Sequence, residues 1–382
     1  MLYKDIIEKN KAWIEETFNK LDEKLSKVAI RSRDKVPYTT INGVHDDMTK
    51  VDPARWTNGF WGGLMWLMYS ETKKDEYLLT AKNSEKLLDF SFTDFDGIHH
   101  DVGFMWHIVS GASYRLTGDK LSRTRNLVAA MMLAARYNIK GEFIRSWNAN
   151  YGNQSTAGFT IIDCLMNIPI LYWAAKETGD DRFRYIAEKQ ADLSVRDHLR
   201  MDGTVNHIVV HDTKKANTVL EIKGGQGYSK DSCWSRGLSW AVYGFVLSYI
   251  HTGNKNYFNA AKKAANVFIR ETEKTNWLPR CDFMQPEKPD KWDSTAGAIA
   301  SCGLIEIAKN CGEKEQEKYL NAAINILSSM EREWCDWSLN TDSVLQMGLE
   351  AYGVKDHKNI IYGDFYFVEA ILKLKGSDFL IW

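Results

Sequence analysis

The turn Leu116-Thr117-Gly118-Asp119 recurs in similar form at Glu177-Thr178-Gly179-Asp180 and at His251-Thr252-Gly253-Asn254. Two looser versions lie at 71–75 and 310–313. Each turn follows a mostly apolar segment and precedes a charged, amphipathic one. In the four turns that contain glycine, we expect that residue to end a helix in the left-handed conformation, and the next helix to begin at or just after Asp, Asn or Glu. The recurring turn therefore predicts a succession of paired helices.

The segments on either side of these turns fall into two classes. Six are rich in Gly, Ala, Trp and other apolar residues: 59–70, 103–115, 158–176, 237–250, 297–309 and 363–374. Six have one charged face: 3–25, 76–90, 120–137, 181–199, 255–273 and 314–334. A helix that is apolar nearly all round is buried, whereas a striped helix faces water. Six of each in alternation predict one all-α domain over residues 1–382, an (α/α)6 barrel of six inner and six outer helices.

An open solenoid of helical hairpins is the alternative arrangement. It would show a tighter repeat than these uneven spacings, and polar caps at both ends. Few segments have the pattern of strands. The clearest is 203–210, which we expect to form a hairpin between helices.

Composition narrows the function and the compartment. The 382 residues carry 49 basic and 50 acidic side chains, so the basic excess that nucleic-acid binding requires is missing. The N-terminal segment lacks the apolar run of a signal peptide, and no stretch approaches the ~20 apolar residues of a membrane span. The six cysteines form no C-x-x-C pair and are typical of reduced thiols. We therefore expect a cytoplasmic protein that binds neither nucleic acid nor membrane.

In such a barrel the N-terminal ends of the inner helices, with the loops that precede them, form one mouth. The chain has 14 tryptophans, and six fall at or near this mouth: Trp56, Trp61, Trp147, Trp234, Trp240 and Trp292. Aromatic faces that stack on sugar rings, with amides and carboxylates that bond hydroxyl groups, are typical of a carbohydrate site. In the plainer interpretation, the Ser, Thr and Asp residues of the mouth are helix N-caps and the tryptophans fill space.

Asp163 is the most informative single residue, because it lies well inside the third apolar segment. It shares the spacing of one helix face with Thr156, Thr160 and Asn167. A polar stripe on a buried helix predicts a cavity, where lost solvation would raise the carboxyl pKa and suit the group to donate a proton near neutral pH. Asp101, at the second mouth segment, would raise that pKa further by like-charge repulsion. The alternatives are a buried Asp163 bonded to Asn167 and an Asp101 that only caps a helix.

Three other mouth segments leave alternatives open. Arg236 begins a buried helix and needs a partner, either a structural carboxylate or a bound anion. His99-His100-Asp101 hints at a metal ion, but adjacent histidines rarely chelate one ion together, so no metal is expected. The glycine-rich loop around Gln226 lacks the pattern of a phosphate loop, and we expect it to present Gln226 at the rim.

Taken together, these segments resemble the unsaturated glucuronyl hydrolases of glycoside hydrolase family 88. The resemblance runs from about Trp56 to the C-terminus and includes the Asp163 segment. Its other stretches are His99-His100-Asp101-Val102-Gly103-Phe104, Asp202-Gly203-Thr204-Val205-Asn206-His207, Gly225-Gln226-Gly227-Tyr228, Ser232-Cys233-Trp234-Ser235-Arg236-Gly237-Leu238-Ser239-Trp240 and Tyr362-Gly363-Asp364-Phe365-Tyr366. The family fold is an (α/α)6 barrel, in agreement with the helix pattern.

The resemblance implies a substrate and a set of roles. The substrate is an oligosaccharide with a 4,5-unsaturated uronic acid at its non-reducing end, of the kind that lyases leave on glycosaminoglycans. Asp163 matches the general acid/base that hydrates the C4=C5 vinyl ether, and Asp101 matches a carboxylate that binds the sugar and modulates Asp163. The positions that line the sugar subsite are matched by Trp56, His207, Gln226, Arg236, Trp240 and Tyr362. No metal or organic cofactor is implied.

Two other functions are weighed against this one. The unsaturated rhamnogalacturonyl hydrolases share the fold and the chemistry but act on pectin fragments, and the His99–Asp101 and Ser235–Trp240 stretches look closer to the glucuronyl group. A helical-toroid protein that is not a hydrolase is the second. It would need neither Asp163 in an apolar segment nor a mouth lined with tryptophan.

Overall fold

The computed structural model describes residues 3–382. Its α-helices are α1 (Tyr3–Arg31), α2 (Gly59–Thr72), α3 (Asp75–Leu88), α4 (Ala112–Thr117), α5 (Lys120–Ala135), α6 (Cys164–Asn167), α7 (Pro169–Thr178), α8 (Asp181–Leu193), α9 (Ser235–Thr252), α10 (Lys255–Glu273), α11 (Ser294–Asn310), α12 (Glu313–Trp334) and α13 (Ile361–Lys375). The π-helical segments are Gly103–Gly111 and Ser194–His198. The 3-10 helices are Trp56–Asn58 and Asp89–Thr93.

The helices form two concentric rings. The inner ring runs from α2 through the π-helix Gly103–Gly111 and α4, then through α6 with α7, α9 and α11 to α13. Because α13 packs back against α2, the ring is closed. The outer ring consists of α1, α3, α5, α8, α10 and α12. The predicted (α/α)6 barrel is confirmed, and the open solenoid is excluded by the closure.

The burial of each helix follows its composition. In α11 the residues 294–308 are buried without interruption, whereas α10 buries one face and exposes its charged one. Polar contacts tie neighbouring outer helices together: Tyr77 Oη donates to Asp22 Oδ1 at 2.8 Å, and Tyr257 Oη donates to Asp192 Oδ1 at 2.7 Å. The outer helices, which these hydrogen bonds link to one another, therefore cover the inner ring. The apolar core is continuous between the two rings.

The turns that lead from inner to outer helices have the predicted left-handed glycine in three of four cases. Gly118, Gly179 and Gly253 are left-handed, at φ values of 74°, 72° and 72°, which confirms three of the four glycine predictions. The fourth is wrong, because Gly312 is extended at φ −70° and occupies the N-cap of α12. Lys73 adopts the left-handed conformation instead, at φ 59°. Predicted helix starts with a capping side chain are confirmed at Asp119, Asp180 and Asn254.

The third inner helix differs from its prediction. Within 158–176, Phe159–Ile161 forms a strand, and Asp163 stands immediately before the short helix α6. The β-branched run Thr160-Ile161-Ile162 favours an extended backbone, and strand pairing satisfies its polar groups. Asp163 therefore lies at a helix start and not inside a helix. The single helix face predicted for four residues is wrong; its members were Thr156, Thr160, Asp163 and Asn167.

The strands are short and antiparallel. They are β1 (Thr40–Ile41), β2 (Val44–His45), β3 (Tyr137–Asn138), β4 (Phe143–Ile144), β5 (Phe159–Ile161), β6 (Ile208–His211) and β7 (Val219–Lys223). The order β5-β6-β7 makes the largest sheet of the described residues, with Phe159 opposite Val210 and Ile161 opposite Ile208. The hairpin predicted at 203–210 is thus displaced along the chain, and β6 with β7 forms it.

Two predictions from composition can be compared with the fold. All six cysteines have free thiols, and four of them are buried. Within residues 3–382 no helix combines the length and the apolar character that crossing a bilayer requires.

Gly179 and Gly312 form a matched pair for testing the turn geometry. A Cβ at either position would meet nothing within 4 Å, so the two alanine variants differ mainly in backbone conformation. We predict that Gly179→Ala lowers the free energy of unfolding by about 1–2 kcal/mol, because an L-residue is strained at positive φ. Gly312→Ala should change that free energy by less than ~1 kcal/mol, because alanine accepts the extended backbone at φ −70° although glycine is the better N-cap. Denaturant unfolding measures both, and equal effects would contradict the assignment.

Candidate active site

The side-chain amide of Asn167 joins two neighbouring segments of the inner ring. Asn167 closes the short helix α6, and its Nδ2 donates to Asp101 Oδ1 at 3.0 Å. Its Oδ1 accepts from the backbone N–H of Phe104 at 2.8 Å, in the first turn of the π-helix Gly103–Gly111. Both contacts are buried. Since Asp163 stands at the start of the same short helix, this amide fixes the positions of the two predicted catalytic carboxyl groups relative to each other.

Two histidines complete the cluster around the carboxyl groups. His99 Nδ1 lies 2.7 Å from Asp101 Oδ2. His100 is fully buried, and its Nε2 lies 3.5 Å from Asp101 Oδ2 and 3.7 Å from Asp163 Oδ1. Asp163 Oδ1 itself has no hydrogen-bond partner among the described residues, although 19% of the Asp163 side chain is exposed. Asp163 is therefore a partly exposed acid with one unbonded oxygen, beside a bonded carboxylate.

The environment drives the pKa values of the two carboxyl groups apart. Burial, followed by the negative charge of Asp101, raises the pKa of Asp163 well above its usual value, although Arg236 opposes this rise. Burial also acts to raise the pKa of Asp101, but His100, His99 and the Asn167 amide outweigh it, and that pKa is lowered. Asp163 is thus suited to hold a proton while Asp101 is ionised.

His100 is held neutral between the two carboxyl groups. Burial lowers its pKa to about 4, against the opposing effect of Asp101. Its backbone N–H donates to Ser146 O at 3.1 Å, and the same carbonyl accepts from Arg136 Nη2 at 3.0 Å. The two carboxyl groups therefore flank a polar but uncharged imidazole.

The same residues offer a three-ligand cluster for a metal ion. Ligand atoms of His99, His100 and Asp101 lie within 4.8 Å of one another. Asp101 Oδ1 already accepts from Asn167, and Oδ2 faces His99. Structural zinc sites have four protein ligands, so the described cluster is one donor short of such a site. The prediction that the protein uses no metal is left untested by this geometry.

Aromatic residues form a wall beside the cluster. The rings of Trp56 and Tyr362 lie 5.1 Å apart, and Trp56 also meets Phe104 at 5.4 Å. Trp240 lies behind Phe104 at 5.3 Å. Tyr362 and Trp240 are 1% and 2% exposed, whereas Trp56 is half-buried and presents surface. The structure thus brings three predicted sugar-binding residues together, and Trp56 has the most accessible ring.

The loop 224–232 carries the predicted residue Gln226 and contacts a second one, His207. His207 Nδ1 accepts from the backbone N–H of Gln226 at 3.0 Å, which leaves the ring proton on Nε2. Burial lowers the pKa of His207 to about 3, so the ring is neutral. The side chain of Gln226 donates from Nε2 to Glu350 O at 2.5 Å. Gln226 therefore ties this loop to the loop around Glu350 at the rim.

Arg236 pairs with a structural carboxylate, which is one of the two alternatives that the sequence left open. Its Nη1 donates to Asp293 Oδ2 at 2.6 Å and to Leu349 O at 2.6 Å, and its Nη2 donates to Glu350 O at 2.5 Å. The side chain is 1% exposed, and its guanidinium lies 4.6 Å from the centre of the Trp234 ring. Arg236 is near enough to Asp163 to lower the pKa of that carboxyl group. Its predicted contact with an anionic sugar stays a prediction.

Sequence reasoning placed some residues wrongly and missed others. Trp61 is fully buried with its ring 5.1 Å from that of His45, so it belongs to the core and not to the mouth. The sequence places Asn167 on a polar face or beside Asp163, whereas its amide bonds the side chain of Asp101 and only the backbone carbonyl of Asp163. Arg136, which supports the carbonyl that His100 also bonds, carries no signal in the sequence because it lies at the end of an outer helix.

Comparison with known proteins gives the family. The family model of Glycosyl Hydrolase Family 88 matches residues 31–259. The chain is 32% identical over 343 residues to an unsaturated glucuronyl hydrolase of Bacillus sp. (strain GL1), covering 87% of this chain and 89% of that protein. It is 33% identical over 339 residues to an unsaturated chondroitin disaccharide hydrolase of Streptococcus pneumoniae, covering 87% and 85%.

Solved structures agree with this assignment. The crystal structure of the unsaturated glucuronyl hydrolase from Bacillus sp. GL1, described as responsible for the degradation of glycosaminoglycan, matches with a TM-score of 0.85 at 29% identity, over 94% of this chain and 96% of that one. The enzyme from Streptococcus agalactiae matches with a TM-score of 0.83 at 28% identity, over 97% and 93%. The chain therefore belongs to Glycosyl Hydrolase Family 88.

Proposed function

We propose that this protein is a glycoside hydrolase that releases a 4,5-unsaturated uronic acid from the non-reducing end of glycosaminoglycan-type oligosaccharides. Relatives with the same barrel are unsaturated glucuronyl and chondroitin disaccharide hydrolases. One such Streptococcus agalactiae enzyme has been solved in complex with dGlcA-GalNAc6S. The observation that carries the proposal is the placement of Asp163 and Asp101 on either side of His100, in surroundings that raise the pKa of Asp163 and lower that of Asp101.

The first step is proton transfer from Asp163 to C4 of the unsaturated ring. The ring oxygen donates electron density into the C4=C5 bond, so C4 is the basic carbon of this vinyl ether. As the C4–H bond forms, positive charge develops on C5 and the ring oxygen. Asp163 becomes a carboxylate, and the ionised Asp101 nearby stabilises the developing cation electrostatically. Its raised pKa favours the protonated, neutral form of the Asp163 carboxyl group before this step.

The second step adds water at C5 and returns the proton. Asp163, now a carboxylate, accepts a proton from the water molecule as its oxygen bonds to C5. The product is a hemiketal at C5, and Asp163 is again protonated. The hemiketal opens by breaking the bond between C5 and the ring oxygen, which leaves a ketone at C5. The resulting hemiacetal at C1 expels the remaining saccharide as an alcohol. Water is the only co-reactant, and no oxidant or reductant is needed.

The mouth binds the ring in the position that this chemistry requires. The proposal assigns sugar contacts to the six residues that the family resemblance selects, namely Trp56, His207, Gln226, Arg236, Trp240 and Tyr362. Trp56 offers an accessible ring for stacking. His207 offers an Nε2–H donor for a hydroxyl or carboxylate oxygen, because Gln226 occupies Nδ1. The carboxyl group of the uronic acid is placed toward the Arg236 side of the site, where the guanidinium offers N–H donors.

The parent polymer and the compartment are separate questions. A panel of unsaturated disaccharides from chondroitin, hyaluronan and pectic rhamnogalacturonan separates the glucuronyl from the rhamnogalacturonyl activity. Hydration destroys the near-ultraviolet absorbance of each substrate, which gives a direct assay. Constant absorbance with all three at high enzyme concentration would refute the proposed function. The location in the cytoplasm stays a prediction, for which cell fractionation is the test.

Asp163→Asn tests the proposed acid. The amide cannot deliver a proton to C4, so turnover should fall by about 10²–10⁴-fold. The fold should persist, since Asp163 Oδ1 makes no hydrogen bond among the described residues. Initial rates and thermal unfolding measure the two effects. Asp180→Asn is the matched control, because asparagine also caps a helix N-terminus and Asp180 lies at an outer turn. Near-normal turnover in Asp163→Asn would remove Asp163 from this role.

The pH profile tests the charge pairing. Activity needs a protonated Asp163, whose pKa is raised, and an ionised Asp101, whose pKa is lowered, so kcat should fall at both ends of the pH range. Asp101→Asn removes the negative charge that disfavours the Asp163 carboxylate. The pKa of Asp163 then falls, and the alkaline limb of the residual activity should move to lower pH. An unchanged alkaline limb would show that the two groups are not coupled.

Arg236→Lys tests whether the guanidinium contacts the substrate. Lysine keeps the positive charge beside Asp293 but loses the fork that matches a carboxylate. We predict a KM for unsaturated disaccharides raised by about tenfold or more, the loss expected for one charged hydrogen bond, with a smaller change in kcat. Steady-state kinetics at a temperature well below unfolding gives both constants. A lower melting temperature with unchanged KM would assign Arg236 to structure alone.

A further inference from the structure

A second cavity lies outside the proposed catalytic cleft. Its volume is about 550 Å³, within the range of sites for small ligands. The residues around it are Phe95, Ile98, Met132, Ala135, Arg136, Asn138, Arg145, Asn148, Ala157 and Thr213. None of them is among the catalytic or sugar-binding residues proposed above. We call this space the flank cavity.

Two arginines without acidic partners line the flank cavity. In the described part of the chain, neither Arg136 nor Arg145 forms an ion pair, although most of the other described arginines do. Burial, together with the positive charge of Arg145, lowers the pKa of Arg136 to about 10, although the charge of Asp101, beyond ion-pair distance, opposes this fall. Two neighbouring guanidinium groups therefore repel each other in a partly dry environment. A bound anion would relieve this repulsion.

The hydrogen bonds of the two arginines leave donors unused. Arg136 donates to Arg145 O, Ser146 O and Asn148 Oδ1, each with a different nitrogen. Arg145 donates only from Nη2, to Asn148 O and Thr156 Oγ1 at 3.1 Å each. Its buried Nε has no partner among the described residues. A guanidinium has five N–H donors, so Arg145 keeps more than half of its hydrogen-bonding capacity free.

The rest of the wall suits a compact ligand with an apolar face. Ile98, Met132 and Ala157 supply hydrocarbon surface, and Phe95 is 83% exposed at the edge. Asn138 adds a free side-chain amide, because only its Oδ1 is bonded, to two backbone N–H groups of its own turn. A cavity lined by both cationic and apolar groups matches an acidic sugar, whose ring presents C–H groups on its faces and a carboxylate or sulfate at its edge.

We propose that the flank cavity is a second, non-catalytic binding site for an acidic sugar, with Arg145 and Arg136 holding its carboxylate or sulfate group. The site goes beyond the proposed function, because binding there requires no turnover and is measured without it. Arg145 is the residue that contacts the anion most fully, since Arg136 already serves the loop of Ser146. The carboxylate of a uronic acid and a sulfate ester share this chemistry.

The test is titration calorimetry of the full chain with three probes. Glucuronate supplies a carboxylate on a sugar, inorganic sulfate supplies the anion alone, and glucose is the neutral control. Each is titrated into wild type, Asp163→Asn, Arg145→Gln and Thr213→Trp. Arg145→Gln removes the charge, and Thr213→Trp narrows the cavity at a side chain that forms no hydrogen bond among the described residues, with both arginines kept. Arg332→Gln, on the exposed face of α12, is the matched arginine control.

The expected result is binding of glucuronate or sulfate that persists in Asp163→Asn and Arg332→Gln but weakens at least about tenfold in both Arg145→Gln and Thr213→Trp. Preference for glucuronate identifies a sugar carboxylate as the ligand chemistry, and preference for sulfate identifies a sulfate ester. Circular dichroism of each variant confirms that it is folded; a variant that is not folded is replaced by Arg145→Lys or Ala157→Leu. Binding that is absent at tens of millimolar, or equal in wild type and both cavity variants, overturns the proposal.

Discussion

The hydrogen bonds of one buried amide, that of Asn167, determine how the proposed catalytic residues are arranged. The amide joins Asp101 to the start of the π-helix Gly103–Gly111 and brings Asp163, at the other end of α6, into the same cluster. The approach is so close that a Cβ on Gly103 would lie 2.6 Å from Asn167 Cα. A glycine is therefore required where the two inner-ring segments meet. The Asn167 amide also adds to the lowering of the Asp101 pKa, after the larger effects of His100 and His99.

The break in the third inner helix has a chemical consequence. Because β5 replaces its first turns, Asp163 comes just before a helix of four residues and near backbone N–H groups that favour its ionised form. Burial and Asp101 favour the protonated form and prevail. A group with opposing influences of this kind can give up a proton and recover it within one cycle. A carboxyl group deep in an apolar helix would meet burial alone, and its ionised state would be far more costly.

The sequence predicted more of the fold than of the site, for physical reasons. Helix count and order follow from local composition and turn residues, so the two rings were predictable from segments such as 255–273, which α10 matches at both ends. The failure at Phe159–Ile161 has a long-range cause: the strand exists because 208–210 pairs with it, about fifty residues away. Asp163 was identifiable as an acid inside an apolar segment, and Asp101 as an acid just before another one. The role of Asn167 and the support by Arg136 depend on contacts across the barrel, which no local pattern encodes.

Anion recognition in this protein is local. With a formal net charge of −1, the chain has little long-range attraction for acidic sugars, and salt would screen most of it. Positive charge is instead buried at particular places. Arg236 is neutralised by Asp293, so it can contribute directional donors with little net field, whereas Arg136 and Arg145 have no such partner. The same barrel thus holds one cationic site that is neutralised by a carboxylate, at Arg236, and one that has no such carboxylate, at Arg136 and Arg145. These are called the balanced and the unbalanced site. Only the unbalanced one gains free energy from neutralisation by a bound anion, which makes it the stronger candidate for binding an anion independently of catalysis.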